Sequence, residues 1–378
     1  MVCLGNGVYR LSGVPRMHER PQAALFKALR ELGYRVDATN DKLPAVIYGE
    51  AAARGSVSRS NSATQEAFVD SGRGMAGDSA AGHRPALRNR SCTVSIDESS
   101  QFASALLLSA KHGGWDVTVA GDDDEEAPYV RMTEQLMEVF PLTGGTFHIE
   151  PDASSGSYFW AAGWLFPAQA SNYDGSRVDN IFSGFDLELQ LKGAITTSKF
   201  FSVRVLHWPD SDWQIDQDFA ATLLPENFGP VISRARDLGD SIMTGITISS
   251  LQPPLRKFVD LGRLRVQECE RVVALRSELT KCGAKVVEEG DTLTVYPSEL
   301  QGAEIETYND HRMAMCFAIL GLKVPGIKLK NPSCVKKTFP NFFQKLAAAP
   351  PNGLGVEIWE VKDGKRTRKL EGEDLFAD

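Results

Sequence analysis

At 378 residues, 42% of them hydrophobic and 24% charged, the chain has room for two domains with buried cores, which excludes a fibrous or wholly disordered polymer. A formal charge of -8 excludes a general nucleic-acid binder, so any anion has to be met by a local cluster of positive groups. No apolar run reaches the about 18 residues of a membrane span. The opening MVCLGNGVYRLSGVPRMHERP has no basic, apolar and cleavage regions in series, so a reducing, cytoplasmic setting is expected, or a plastid if a transit segment precedes Met1. Six cysteines at irregular spacing, and histidines without i, i+4 pairing, point to neither a disulfide framework nor a zinc site.

In chain order, AALFKALRELGYRV reads as an amphipathic helix and AVIYG as a strand. Residues 50–89 are dominated by Ala, Gly, Ser and Arg, too poor in large apolar groups to pack, and are expected to be a disordered insertion. CTVSIDESSQFASALLLSA then gives strand and helix. Beyond it, β-like segments (WDVTVAG, GTFHIE, FFSVRVL, AKVVEE, TLTVYP, GIKLK) alternate with helical ones (YVRMTEQLMEVF, ECERVVALRSELTKCG, PNFFQKLAA), the pattern of an α/β (α+β) protein. Residues 1–150 and 151–350 are expected as two domains, and 351–378 as a charged hairpin or tail.

A looser repeat underlies this order. IDESSQFASALLL, EPDASSGSYFWAAGWL, LGDSIMTGITISS and YNDHRMAMCFAIL each place an acid or serines before an apolar helix. Ser99 and Ser100, Asp152, Asp240 and Asp310 stand where N-caps belong. Each such helix start offers free N–H groups and the positive end of a dipole. Several of them facing one cleft would bind anions despite the net charge. Singly, each is an ordinary cap.

TYNDHRMAM followed by NPSCVKKTFPNFF resembles the C-terminal signature of the 5-enolpyruvylshikimate-3-phosphate synthase family. LSGVPRMHERP, SSQFASALL, PDASSGSYF and LRVQECER match further family motifs in order. The resemblance implies a two-domain enolpyruvyl transferase fold built from βαβαββ units, the first domain incomplete. It also implies transfer of the enolpyruvyl group from phosphoenolpyruvate to shikimate 3-phosphate, in the shikimate pathway, without metal or organic cofactor. By position, Arg20, Arg271, His311, Arg312 and Lys337 would contact phosphoenolpyruvate. Ser99, Ser100, Gln101, Tyr129 and Asp240 would contact shikimate 3-phosphate, and Asp240, Glu268 and Lys337 would carry the acid–base steps. Arginine forks suit phosphate and carboxylate better than point charges do. Each residue taken alone also has a plain reading, as a cap, a surface ion pair or a core group.

Departures from the pattern leave a second expectation open. The Ser-Lys-Ser and Asn-Ala-Gly-Thr motifs of the family do not occur, Gln267 replaces a lysine, Arg263 stands at a usual asparagine, and Glu126 replaces a phosphate-binding serine. A degenerate relative without turnover, or one half of a split enzyme completed by a separate N-terminal fragment, is the alternative. The partners expected are small-molecule anions, with no nucleic acid and no membrane.

Overall fold

The computed structural model describes residues 2–49, 90–121, 126–166, 203, 205–222, 229–251, 253–350 and 352–377. The insertion expected at 50–89 lies outside these residues, as does most of the strand expected at 200–206. Two compact units part between Val139 and Phe140. Among the described residues no helix is long and apolar enough to cross a membrane.

In the first unit, β1 (Val8–Leu11), β2 (Val36–Ala38) and β3 (Ala45–Tyr48) form an antiparallel sheet in the order β1-β3-β2. β4 (Arg90–Ser95) and β5 (Trp115–Ala120) run parallel, and the Ser100–Gly113 helix makes the crossover that parallel pairing requires. That helix starts where the Ser99 side chain accepts the Gln101 N–H, and stops at Gly114, which takes the left-handed conformation (φ 60°) that a residue without Cβ adopts freely. Its apolar face joins Phe26, Leu29, Ile47, Val94 and Trp115 in one core.

The second unit contains one complete βαβαββ run. β6 (Val231–Ser233), the Ile242–Ser249 helix, β7 (Arg256–Val259), the Arg271–Lys281 helix, β8 (Lys285–Glu289) and β9 (Thr292–Tyr296) build a sheet ordered β6-β7-β9-β8, with β6 and β7 parallel and the other pairs antiparallel. β10 (Glu304–Ile305) and β11 (Lys328–Leu329) pair in parallel on either side of the His311–Lys323 helix.

Three helices of this unit, Ala153–Leu165, Ile242–Ser249 and His311–Lys323, are buried on nearly all sides, which suits their almost uncharged sequences. Small polar groups stitch them together. Ser157 Oγ lies 3.0 Å from Thr244 Oγ1, which lies 3.8 Å from Cys316 Sγ, so each helix supplies one member of the chain.

Two expectations change. GTFHIE is not a strand: the stretch 140–151 has no regular structure, Gly144 and Gly145 have φ 91° and 134°, and Ile149 is 78% exposed. Alternating side chains do not make a strand without a neighbour to pair with. Within 351–378, β12 (Ile358–Lys362) and β13 (Lys365–Leu370) form a hairpin around Asp363-Gly364, both at positive φ, the residues a two-residue turn demands. Leu375 and Ala377 then enter the core of the second unit.

Candidate active site

Asp310 stands ahead of the His311–Lys323 helix in extended backbone (φ -107°, ψ 119°), and its Oδ1 accepts the Arg312 N–H at 2.8 Å. The same carboxylate receives the Arg271 guanidinium as a fork, Nε to Oδ2 at 2.7 Å and Nη2 to Oδ1 at 3.2 Å. Both partners are buried, Asp310 at 0% and Arg271 at 1% side-chain exposure. One side chain thus caps a helix and fixes an arginine.

Arg271 opens the Arg271–Lys281 helix and reaches further acids. Its Nη2 donates to Glu268 Oε2 at 2.8 Å, and its Nη1 donates to Gln267 Oε1 and lies 3.7 Å from Asp240 Oδ2. Asp240 is gripped twice more, by Arg234 Nη2 at 2.9 Å and Arg312 Nε at 3.2 Å. Arg312 Nη1 donates to Ser154 Oγ and, at 3.5 Å, to the Tyr158 hydroxyl. The Lys337 ammonium pairs with Glu268 Oε1. Ser154 lies in the first turn of its helix, Asp240 just ahead of the next, and Arg312 in the first turn of the third, so the three buried helix starts meet here.

Charge is nearly balanced within the cluster. Burial alone would raise the Asp240 carboxyl, but Arg312, Arg234 and Arg271 outweigh it and hold Asp240 well below the usual carboxylate range. Glu268 is likewise pushed up by burial and drawn down by Arg271 and Lys337, to about 2. Burial and then Arg312 lower His311 to about 4, so its imidazole is neutral at neutral pH. Its buried Nδ1 has no hydrogen-bond partner among the described residues. The Lys337 side chain is 54% exposed and faces outward from the buried layer of arginines. Solvent can therefore bring an anion to Lys337 first.

Of the residues singled out by sequence, Asp240, Glu268, Arg271, His311, Arg312 and Lys337 come together in the second unit. Arg20, just after the Pro15–Glu19 helix, and Ser99, Ser100, Gln101 and Tyr129 belong to the first unit and are described there by themselves. In that unit the Ser100 N–H donates to Glu126 Oε2 at 2.6 Å, so a buried carboxylate of the chain already sits on this helix start.

The expected cap at Asp240 is corrected. Ser241 is the N-cap residue, without a side-chain cap bond, and its N–H donates to Asp216 Oδ1 at 3.0 Å, a partner from 25 residues upstream. Asp240 is turned instead to the arginines. Sequence reasoning also missed Arg234, Ser154 and Tyr158. Arg234 left one weak trace, a basic RAR run six residues ahead of Asp240.

The model of the family described as EPSP synthase (3-phosphoshikimate 1-carboxyvinyltransferase) matches residues 139–346, more than half of the chain. The chain belongs to the EPSP synthase family. Two relatives named 3-phosphoshikimate 1-carboxyvinyltransferase illustrate the distance within it. The protein of Trichormus variabilis is 30% identical over 369 residues, covering 92% of this chain and 74% of the relative. That of Paraburkholderia phymatum is 29% identical over 384 residues, covering 92% and 76%. A solved EPSP synthase from Acinetobacter baumannii shares the fold, with a TM-score of 0.50 at 16% identity over 92% of this chain and 74% of that one. The EPSP synthase match spans every member of the arginine and carboxylate cluster.

Proposed function

We propose that the chain transfers the enolpyruvyl group of phosphoenolpyruvate to the 5-hydroxyl of shikimate 3-phosphate. The observation that supports this reading is the meeting of Asp240, Glu268, Arg271, Arg312 and Lys337 at three helix starts, in a chain of this family. In the reaction the hydroxyl oxygen bonds C2 of phosphoenolpyruvate and loses its proton, while a proton adds to the C3 methylene. Phosphate then leaves, and loss of a methyl proton restores the double bond.

Arg271, Arg312, Lys337 and, from the first unit, Arg20 are assigned to the phosphate and carboxylate of phosphoenolpyruvate, with the neutral His311 as a hydrogen-bonding neighbour. Ser99, Ser100, Gln101 and Tyr129 are assigned to the acceptor. Asp240 takes the hydroxyl proton, and Glu268 with Lys337 handles the methylene proton. A carboxylate clamped by three guanidinium groups is too weak a base for that task. An incoming phosphate competes for Arg312 and Arg271, and each one it draws off returns proton affinity to Asp240. Substrate binding would thus prepare the base. The partners in this reading are small-molecule anions, and the setting is cytoplasmic.

One observation favours a second reading, in which the chain binds phosphoenolpyruvate without turnover: the Glu126 carboxylate occupies the Ser100 N–H that an acceptor phosphate would need. Phosphate release distinguishes the two. With both substrates present, steady release of inorganic phosphate is expected, and none when shikimate 3-phosphate is omitted. Release no faster than in that blank would refute the transfer reading.

A further inference from the structure

Asp310 can serve the Arg312 N–H and the Arg271 fork at once only while the turn before it keeps its shape. That turn is disfavoured on its own. Tyr308 and Asn309 both sit at φ 55°, in the left-handed region, and the turn is closed by the Asp310 N–H donating to Thr307 O at 2.8 Å. Asn tolerates this conformation, but a bulky aromatic residue adopts it rarely.

Side chains on both sides hold the turn. The Tyr308 hydroxyl donates to Glu278 Oε1 at 2.7 Å, the Asn331 amide donates to Asn309 Oδ1 at 3.0 Å, and the Thr307 hydroxyl donates to Lys330 O at 2.9 Å. Glu278 is fully buried; it also accepts the Glu306 N–H at 3.1 Å and the Lys281 ammonium at 2.8 Å on each oxygen. It lies seven residues after Arg271 on the same helix, two turns on and therefore on the same face. One rigid helix thus grips the 306–310 stretch at two points, with Glu278 at Glu306 and Tyr308 and with Arg271 at Asp310.

We propose that Tyr308 is a positioning residue of the anion site: its hydroxyl, bonded to Glu278, keeps the Thr307–Asp310 turn in the shape that aims Asp310 at Arg271 and at the Arg312 N–H. The functional consequence rests on the reading of this cluster as the phosphoenolpyruvate site. Tyr308 is 39% exposed, so its ring contributes little to the core, and what it adds is the hydroxyl.

The test uses the full chain with Tyr308→Phe, which keeps the ring and deletes the hydroxyl. Three quantities are read: water exchange of the Arg271 Nε–H by nitrogen-15 NMR without ligand, the Kd for phosphoenolpyruvate by calorimetry, and the thermal midpoint. Exchange and Kd are both expected to rise about tenfold while the midpoint moves by no more than about 2 °C. Exchange and Kd within about twofold of wild type would overturn the inference, as would a fall in the midpoint in proportion to the lost affinity. Should the wild type fail to bind phosphoenolpyruvate, the reading of the site fails, and the ligand-free exchange rate still decides whether Tyr308 positions Asp310 and Arg271. Lys281→Gln provides a second variant, because it leaves the Glu278 oxygens to the Tyr308 hydroxyl and the Glu306 N–H and removes only the charge pair. Its Arg271 exchange is expected to stay near wild type, and a rise as large as that of Tyr308→Phe would assign the effect to the Lys281 pair and sink the proposal.

Discussion

His311 is 4% exposed and stands beside Arg312, so burial and a neighbouring positive charge both oppose protonation of its imidazole. In the fold it stays neutral down to about 4, whereas in the unfolded chain it takes up a proton near its ordinary value of 6.5. Between these pH values the unfolded state binds more protons, so stability falls as pH drops from 6.5 towards 4 and returns as pH rises. At full effect this amounts to about 3 kcal/mol. Urea titrations across this window should show the decline in wild type and a flatter profile in His311→Asn. Equal slopes for both proteins would place the titration elsewhere. At this scale the clustering of Glu268, Arg271, His311, Arg312 and Lys337 was readable because each sits in a motif of fixed order. Arg234 was not, since its importance comes from a 2.9 Å bond to Asp240 that no local pattern encodes.

Among the elements, the Ala153–Leu165 helix shows how closely the second unit is packed. A Cβ at Gly156 would stand 2.5 Å from Cζ3 of Trp208. That indole cannot swing away, because its Nε1–H donates to Gln217 O at 2.7 Å and its ring meets Trp160 edge-on at 5.7 Å. Gly156→Ala should therefore destabilise the protein by about 1–2 kcal/mol in chemical denaturation, the overpacking outweighing the helix propensity gained. A neutral or stabilising result would mean that the indole has room to move. The starts of the Ala153–Leu165 and His311–Lys323 helices were legible because Asp152 and Asp310 directly precede the helical segments and do accept first-turn N–H groups. The Ile242–Ser249 start misled, because Asp216 supplies its partner from a distant segment and frees Asp240 for the arginines. GTFHIE misled for the related reason that a strand is a property of a pair.

Across the whole molecule, a chain of formal charge -8 concentrates Arg234, Arg271, Arg312 and Lys337 around a few carboxylates in one unit. The repeated cap pattern predicted helix starts able to attract anions, and three of them do meet in the second unit. Which carboxylates would already hold the arginines depends on tertiary distances and was not legible. The proposed function therefore rests on an exchange, in which a ligand anion displaces internal carboxylates from cations that the fold has gathered. Lys337 isolates that claim best, because it is the exposed member, and the Glu268 carboxylate it would leave keeps its 2.8 Å bond to Arg271. The decisive measurement is a calorimetric titration of phosphoenolpyruvate into the wild type and into Lys337→Gln at neutral pH. Saturable binding by the wild type, weakened at least about tenfold by the substitution with an unchanged unfolding midpoint, is the predicted result. No binding by the wild type, or equal affinity in both proteins, would contradict it.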